Sequence, residues 1–214
     1  MDMSHFQEPA ASVFVVDGDD AARAAIAALA GRSGWRTACF TRAEELLARD
    51  PHGDPCCLVL DVDPRDPGRL ALQRRIAAER GEMPIIAVAG RADVPGAVQA
   101  MKAGAVDFLA KPVHGPSLLH AIEEALARSR AALRRAMDVR SIRARHGTLS
   151  RREREVMSLV ARGLLNKQVG AELGISEITV KAHRGSAMRK MGARTLPDLV
   201  NMAGVLRESP QVPA

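Results

Sequence analysis

Through the first 128 residues, short apolar runs alternate with stretches whose apolar positions recur every three or four residues. "SVFVVD", "WRTACF", "CCLVLD", "PIIAVAG" and "AVDFLAKP" are runs of the first kind. "DAARAAIAALAGRSG", "TRAEELLARD", "RLALQRRIAAERG", "DVPGAVQAMKAG" and "SLLHAIEEALARS" follow them in turn. Near-continuous apolar strands need cover on both faces, and intervening helices supply it. The pattern therefore predicts five strand–helix units built on a parallel sheet. Local signals mark helix starts: Thr41 and Glu44 have the spacing of a capping box, and Asp93, with Pro95 in the first turn, reads as an N-cap.

Beyond residue 147 the strand-like runs stop. Ser150 and Glu153 have capping-box spacing and open a helix with Val156, Leu159 and Val160 at core positions, ended by Gly163. "NKQVGAELG" is a short second helix closed by Gly174; Ser176 caps a third, "EITVKAHRGSAMRKM", and "LPDLVNMA" is a fourth. Two short helices at a tight turn, the second one basic, have the form of a helix-turn-helix. Between the halves, "SRAALRRAMDVRSIRARHG" is helix-prone and Arg-rich. Leu119, Ile122, Leu126, Leu133 and Met137 suggest an apolar stripe there, read as a dimer helix in preference to a helix resting on its own domain. The organisation expected is an α/β domain over 11–128, a helical linker over 129–147 and an all-α domain of four helices over 148–208.

Composition changes this picture in three ways. The net charge of +6 is uneven: residues 129–214 hold 17 Lys and Arg against 7 Asp and Glu, whereas 11–128 hold 14 against 16. A basic C-terminal part joined to a neutral-to-acidic one fits regulation coupled to nucleic-acid binding. No apolar run reaches membrane-spanning length, and "MDMSHFQEPA" lacks the regions of a signal peptide, so a cytoplasmic location is expected. Cys39, Cys56 and Cys57 have neither disulfide nor metal-ligand spacing and are expected as small apolar residues of buried strands. Without a nucleophile constellation or a Gly-rich phosphate loop, the sequence does not read as an enzyme.

Chemistry in a parallel α/β sheet collects at the carboxyl ends of the strands. That topology would bring together Asp17 with its neighbours in "VVDGDD", Asp61, and Lys111. Residues 12–128 resemble the receiver domain of a two-component response regulator, "DVPGAVQAMKAGAVDFLAKP" being similar to receivers of the FixJ/NarL type. The resemblance implies a flavodoxin-like sheet of order 2-1-3-4-5. It gives Asp61 the role of phosphoryl acceptor, Lys111 that of phosphate partner, and Phe108 the place of the switch aromatic. Mg²⁺ would bridge carboxylates and phosphoryl group, removing the repulsion between two anions. Its candidate ligands are Asp17, Asp19 and Asp61.

The chain departs from the receiver pattern in three places. The second member of the acidic pair falls on Gly18; the Thr/Ser position after the fourth strand is Ala89; and the loop "DVDPRDPG" lacks the Met-Pro step and is one residue short. Asp19, one position further along, is the candidate replacement for the missing ligand. A degenerate receiver is therefore expected, with phosphorylation of Asp61 the lesser alternative and a sensor histidine kinase a doubtful partner.

From about Leu149 to Ala203, "LSRRE", "NKQVGAELGIS" and "TVKAHR" closely resemble the LuxR-type helix-turn-helix. The resemblance places the third helix in the major groove of promoter DNA. Helical spacing sets Lys181, Arg184 and Met188 along one side of it. Lys181 and then Arg184 are the candidates for base edges; Thr179, Lys167 and His183 are the candidates for phosphates. Val180, Ala187 and Met191 are expected to pack inward. The family's habit of binding inverted repeats implies a homodimer. The leading expectation is a DNA-binding transcriptional response regulator; the alternative is a pseudo-receiver interaction or sensory protein whose basic domain meets another partner.

Overall fold

The computed structural model describes residues 11–49, 53–91 and 93–208. The signal-peptide reading of "MDMSHFQEPA" lies outside the described residues. Two compact units adjoin in sequence at Arg134 and Arg135.

The first unit holds β1 (Ser12–Val16), α1 (Asp20–Arg32), β2 (Arg36–Phe40), α2 (Ala43–Leu47), β3 (Cys56–Asp61), α3 (Pro67–Glu79), β4 (Ile85–Ala89), α4 (Val94–Lys102) and β5 (Ala105–Ala110). The start of α5 (Gly115–Gly147) completes it. All pairings are parallel and the strand order is β2-β1-β3-β4-β5. Side chains of β1 alternate between two cores, as strand geometry requires. Phe14 and Val16 join Leu58, Leu60, Ala87, Ile76 of α3 and Ala100 of α4; Val13 and Val15 join Val59, Ile86, Ile26 of α1 and Ile122 of α5. Both faces of the sheet are covered, which is why the central strands β1, β3 and β4 are almost continuously apolar, whereas the edge strand β2 carries exposed Arg36 and Thr37.

Capping explains most helix starts. Asp19 caps α1, accepting from Ala21 N and Ala22 N; Asp93 caps α4 through Gly96 N, as expected. Two expectations are corrected. The Thr41/Glu44 capping box is not formed, because α2 starts one residue later, with Arg42 at its N-cap and no side-chain cap. Cys39 is exposed on the edge strand β2, whereas Cys56 and Cys57 are buried. Burial pushes the Cys56 thiol up to about 11 and raises that of Cys57 as well.

The fifth helix corrects the proposed stripe in part. Ile122 and Leu126 are fully buried against the sheet, so those positions serve their own domain and no dimer. Leu119 and Leu133 are half-buried and Met137 is exposed. Buried Ser129 pins α5: its hydroxyl donates to Glu82 O at 2.6 Å and accepts from Cys56 N at 3.0 Å.

The second unit consists of the end of α5 with α6 (Arg151–Ala161), α7 (Asn166–Leu173), α8 (Glu177–Met191) and α9 (Leu196–Glu208). Leu149, Met157, Ala187, Met191 and Leu199 form one core; Val156, Leu159, Val160, Val169 and Val180 form the other. Val180, Ala187 and Met191 are thus buried as their spacing predicts. Met188 is half-buried beside the first core. Gly174 and Gly192 end α7 and α8 in the left-handed conformation that favours glycine.

Candidate functional site

At the carboxyl edge of the sheet, one lysine joins two aspartates. Asp17 follows β1, Asp61 ends β3 and Lys111 follows β5, so the strand order brings them together from three distant stretches. Lys111 Nζ lies 2.7 Å from Asp17 Oδ2 and 2.7 Å from Asp61 Oδ1. The Asp17 side chain is only 2% exposed, against 20% for Asp61 and 23% for Lys111. Burial alone would lower the lysine's pKa, but hydrogen bonds to Asp17 and Asp61, with their charges, hold it above its ordinary value.

The loops around this bridge are tightly tied. Asp17 Oδ1 accepts from Asp19 N at 2.9 Å, and Arg23 Nη1 donates to Asp17 O at 2.6 Å. Lys111 N donates to Ala89 O at 2.8 Å, fixing the lysine beside the end of β4. Ala89 is buried and carries no hydroxyl. Phe108 lies half-buried in β5, packed on the core that contains Phe14 and Ala87.

Asp19, the candidate replacement ligand, is engaged elsewhere. Its carboxylate is used at the N-terminus of α1, and among the described residues no group of three His, Cys, Asp or Glu side chains is placed to hold a metal ion. Receiver domains commonly bind Mg²⁺ in an acidic pocket. Here the carboxylates present, Asp17 and Asp61, are bridged by an ammonium, and Gly18 contributes no oxygen from a side chain. That donor set does not fit a resident Mg²⁺, which wants oxygen ligands in near-octahedral array.

One partner of Asp61 was missed in the sequence. Arg69, in the first turn of α3, places Nη1 3.1 Å from Asp61 Oδ2. Asp66 sets this up by capping α3 through Gly68 N and Arg69 N.

The second unit presents α8. Ser176 caps it, accepting from Thr179 N at 3.1 Å, and its hydroxyl also meets Thr179 Oγ1 at 2.8 Å. Lys181 is exposed and pairs with Glu177, 3.3 Å away one helical turn earlier. Such an exposed pair contributes little, so exchanging Glu177 for another acceptor costs little. Arg184 is half-buried and donates to Asn166 Oδ1 of α7 at 3.1 Å. Lys167 is exposed on α7 and His183 is half-buried on α8.

The position of α8 is set by a buried carboxylate. Glu153 accepts from Ser150 N at 2.7 Å while Ser150 Oγ accepts from Glu153 N, completing the expected capping box. The same side chain accepts from Ser186 Oγ at 2.6 Å and Lys190 Nζ at 2.7 Å, both on α8. Lys190, then Ser186 and the Ser150 amide, hold the Glu153 carboxyl at about 2. Arg145 Nη1 donates to Met191 O at 3.0 Å and closes the other end of α8. Glu153 was legible as a cap; its tie to α8 was not.

Comparison with known proteins agrees with this division. Residues 13–123 match the family described as response regulator receiver domain, and residues 147–203 match bacterial regulatory proteins of the luxR family. Neither is a catalytic family. Nodulation protein W of Bradyrhizobium diazoefficiens is 44% identical over 198 residues, covering 92% of this chain and 86% of that protein. Transcriptional regulatory protein FixJ of Rhizobium meliloti is 40% identical over 192 residues, covering 90% and 94%. The solved structure of the response regulator StyR superposes with a TM-score of 0.72 at 37% identity, covering 91% of this chain and 98% of that one. No helix among the described residues is long and apolar enough to cross a membrane. With a receiver fold and a LuxR-type helix-turn-helix both in place, the chain belongs to the FixJ type of response regulators, DNA-binding regulators of transcription.

Proposed function

We propose that this regulator binds promoter DNA as a homodimer in the cytoplasm, and that its receiver acts without phosphoryl transfer to Asp61. The observation that carries the second half is the strand-end bridge. Lys111 holds both Asp17 and Asp61 at 2.7 Å, while Gly18 and Ala89 lack the carboxylate and hydroxyl that the chemistry needs. A receiver of this kind keeps its fold as an interaction platform, with a protein partner, a small ligand or expression level as the input. A homodimer is supported by the short half-site that one such domain reads and by exposed apolar side chains at Val94, Val98 and Met101 of α4.

Beryllofluoride with Mg²⁺ mimics the phosphorylated aspartate. Titrated into the full-length wild type, it is expected to leave DNA affinity and oligomeric state unchanged, and Asp61→Asn is expected to bind DNA as the wild type does. A beryllofluoride-dependent rise in affinity that Asp61→Asn abolishes would establish conventional phosphorylation with a sensor kinase instead.

On DNA, Lys181 is the principal base contact, with Arg184 second once it exchanges Asn166 for the duplex; Thr179, Lys167 and His183 set register on phosphates. Lys181→Ala is expected to cost roughly 1–3 kcal/mol on the cognate site and to relax its specificity. Fluorescence anisotropy against cognate and scrambled duplexes measures this. A uniform loss on both would move Lys181 to the phosphates.

A further inference from the structure

Asp61 spends both carboxylate oxygens on cations of the chain itself. Oδ1 faces Lys111 at 2.7 Å and Oδ2 faces Arg69 at 3.1 Å. Arg69 lines the same cavity as Asp17, Gly18 and Asp61, together with Thr41 and Glu44. A Cβ added at Gly18 would meet nothing within 4 Å, so room for a further ligand exists and only the ligand is missing. The two strand-end carboxylates, Asp17 and Asp61, are matched by two cations, Lys111 and Arg69. Charge is balanced before any ion enters.

We propose that the Arg69 guanidinium is the resident counter-ion of Asp61, standing in for the divalent cation that receivers hold there and making the pocket refractory to metal. The geometry follows from the loop. Asp66 and Pro67 start α3 early, and the capped first turn points Arg69 back at the end of β3. Arg69 is 52% exposed and also faces Asp66 Oδ2 at 3.8 Å, so it holds Asp61 by charge and one hydrogen bond and not by burial. Refractoriness then has two sources, a missing carboxylate at Gly18 and an added positive charge at Arg69. Restoring the first alone leaves the second in place.

This deepens the reading of the receiver as independent of phosphorylation and rests on it. The test is Mn²⁺ binding to the full-length protein, followed by the electron paramagnetic resonance signal of free Mn²⁺. Wild type, Gly18→Asp, Gly18→Asp/Arg69→Ala and Gly18→Asp/Arg69→Lys are compared, with thermal unfolding as the check on folding. Gly18→Asp alone is expected to bind weakly, as does Gly18→Asp/Arg69→Lys, which keeps the charge. Gly18→Asp/Arg69→Ala is expected to bind about tenfold tighter or more, since a unit charge beside a divalent ion repels it even at high effective dielectric. Equal affinity of Gly18→Asp and Gly18→Asp/Arg69→Ala would overturn the assignment and leave Gly18 as the sole cause. That outcome leaves the expected insensitivity of the wild type to beryllofluoride untouched, whereas a beryllofluoride response of the wild type overturns the functional reading. Gly18→Asp/Arg69→Gln, which keeps the length of the side chain, repeats the test should the alanine variant fold poorly.

Discussion

Gly170→Val weakens DNA binding about 100-fold while the receiver stays folded. Gly170 is buried in α7, and a Cβ there would stand 2.7 Å from the carbonyl oxygen of Ile175 and 3.7 Å from Glu177 N. The obstacle is backbone, and that backbone is the turn that launches α8. Ile175 N donates to Gly170 O at 3.0 Å, so the turn cannot retreat without losing this bond. Overpacking of a tight site costs roughly 1–3 kcal/mol, and the branched valine puts this one at the upper end. The displaced helix start carries Thr179 away from the phosphate, and Lys181 away from the base edge, proposed for them. We expect the domain's own thermal transition to fall and DNA affinity to drop about 100-fold, the equivalent of losing two well-made base contacts. Gly170→Ala should fall between. An affinity within threefold of wild type, measured by anisotropy, would show that the turn absorbs the side chain.

The contrast between the two sites shows what a sequence makes legible. The pairing of Asp17, Asp61 and Lys111 needs only the strand order, because parallel strands deliver their carboxyl ends to one edge. Once five strand–helix units are read, those three residues must meet. Arg69 carries no such signal. It lies in a helical run where an arginine ordinarily means a solvated face, and its reach back to Asp61 depends on α3 starting at Pro67, earlier than the apolar pattern suggests. The loop "DVDPRDPG", noted for what it lacks, is what places that charge. The Thr41/Glu44 spacing failed for a related reason: α2 has only five residues, and its start was decided by the packing of Ala43 and Leu46 in the core and not by a cap. Glu153 stands between the extremes. Its capping role is local and readable, while Ser186 and Lys190 lie more than thirty residues away and reach it only through the packing of α6 on α8.

Lys111→Met tests how the strand-end charges are apportioned. Removing the lysine leaves Asp17 nearly buried, with Asp19 N on one oxygen and no cation on the other. Asp61 keeps Arg69. Breaking a buried pair from one side costs about 3–5 kcal/mol; partial exposure of Lys111 puts this case near the lower value, a fall of roughly 10 °C in the receiver's melting temperature. Because the lysine's pKa is raised on folding, its contribution is complete below about 10.5 and fades only as pH climbs through the higher folded value, so the loss should be full at neutral pH. The rescue is asymmetric. Asp17→Asn in the Lys111→Met background should recover most of the stability, since it neutralises the orphaned buried charge. Asp61→Asn in the same background should recover little, because it neutralises a carboxylate that Arg69 already holds and leaves Asp17 as it was. Equal rescue by the two would mean that Arg69 does not neutralise Asp61 in solution, and that Lys111 alone balances both acids.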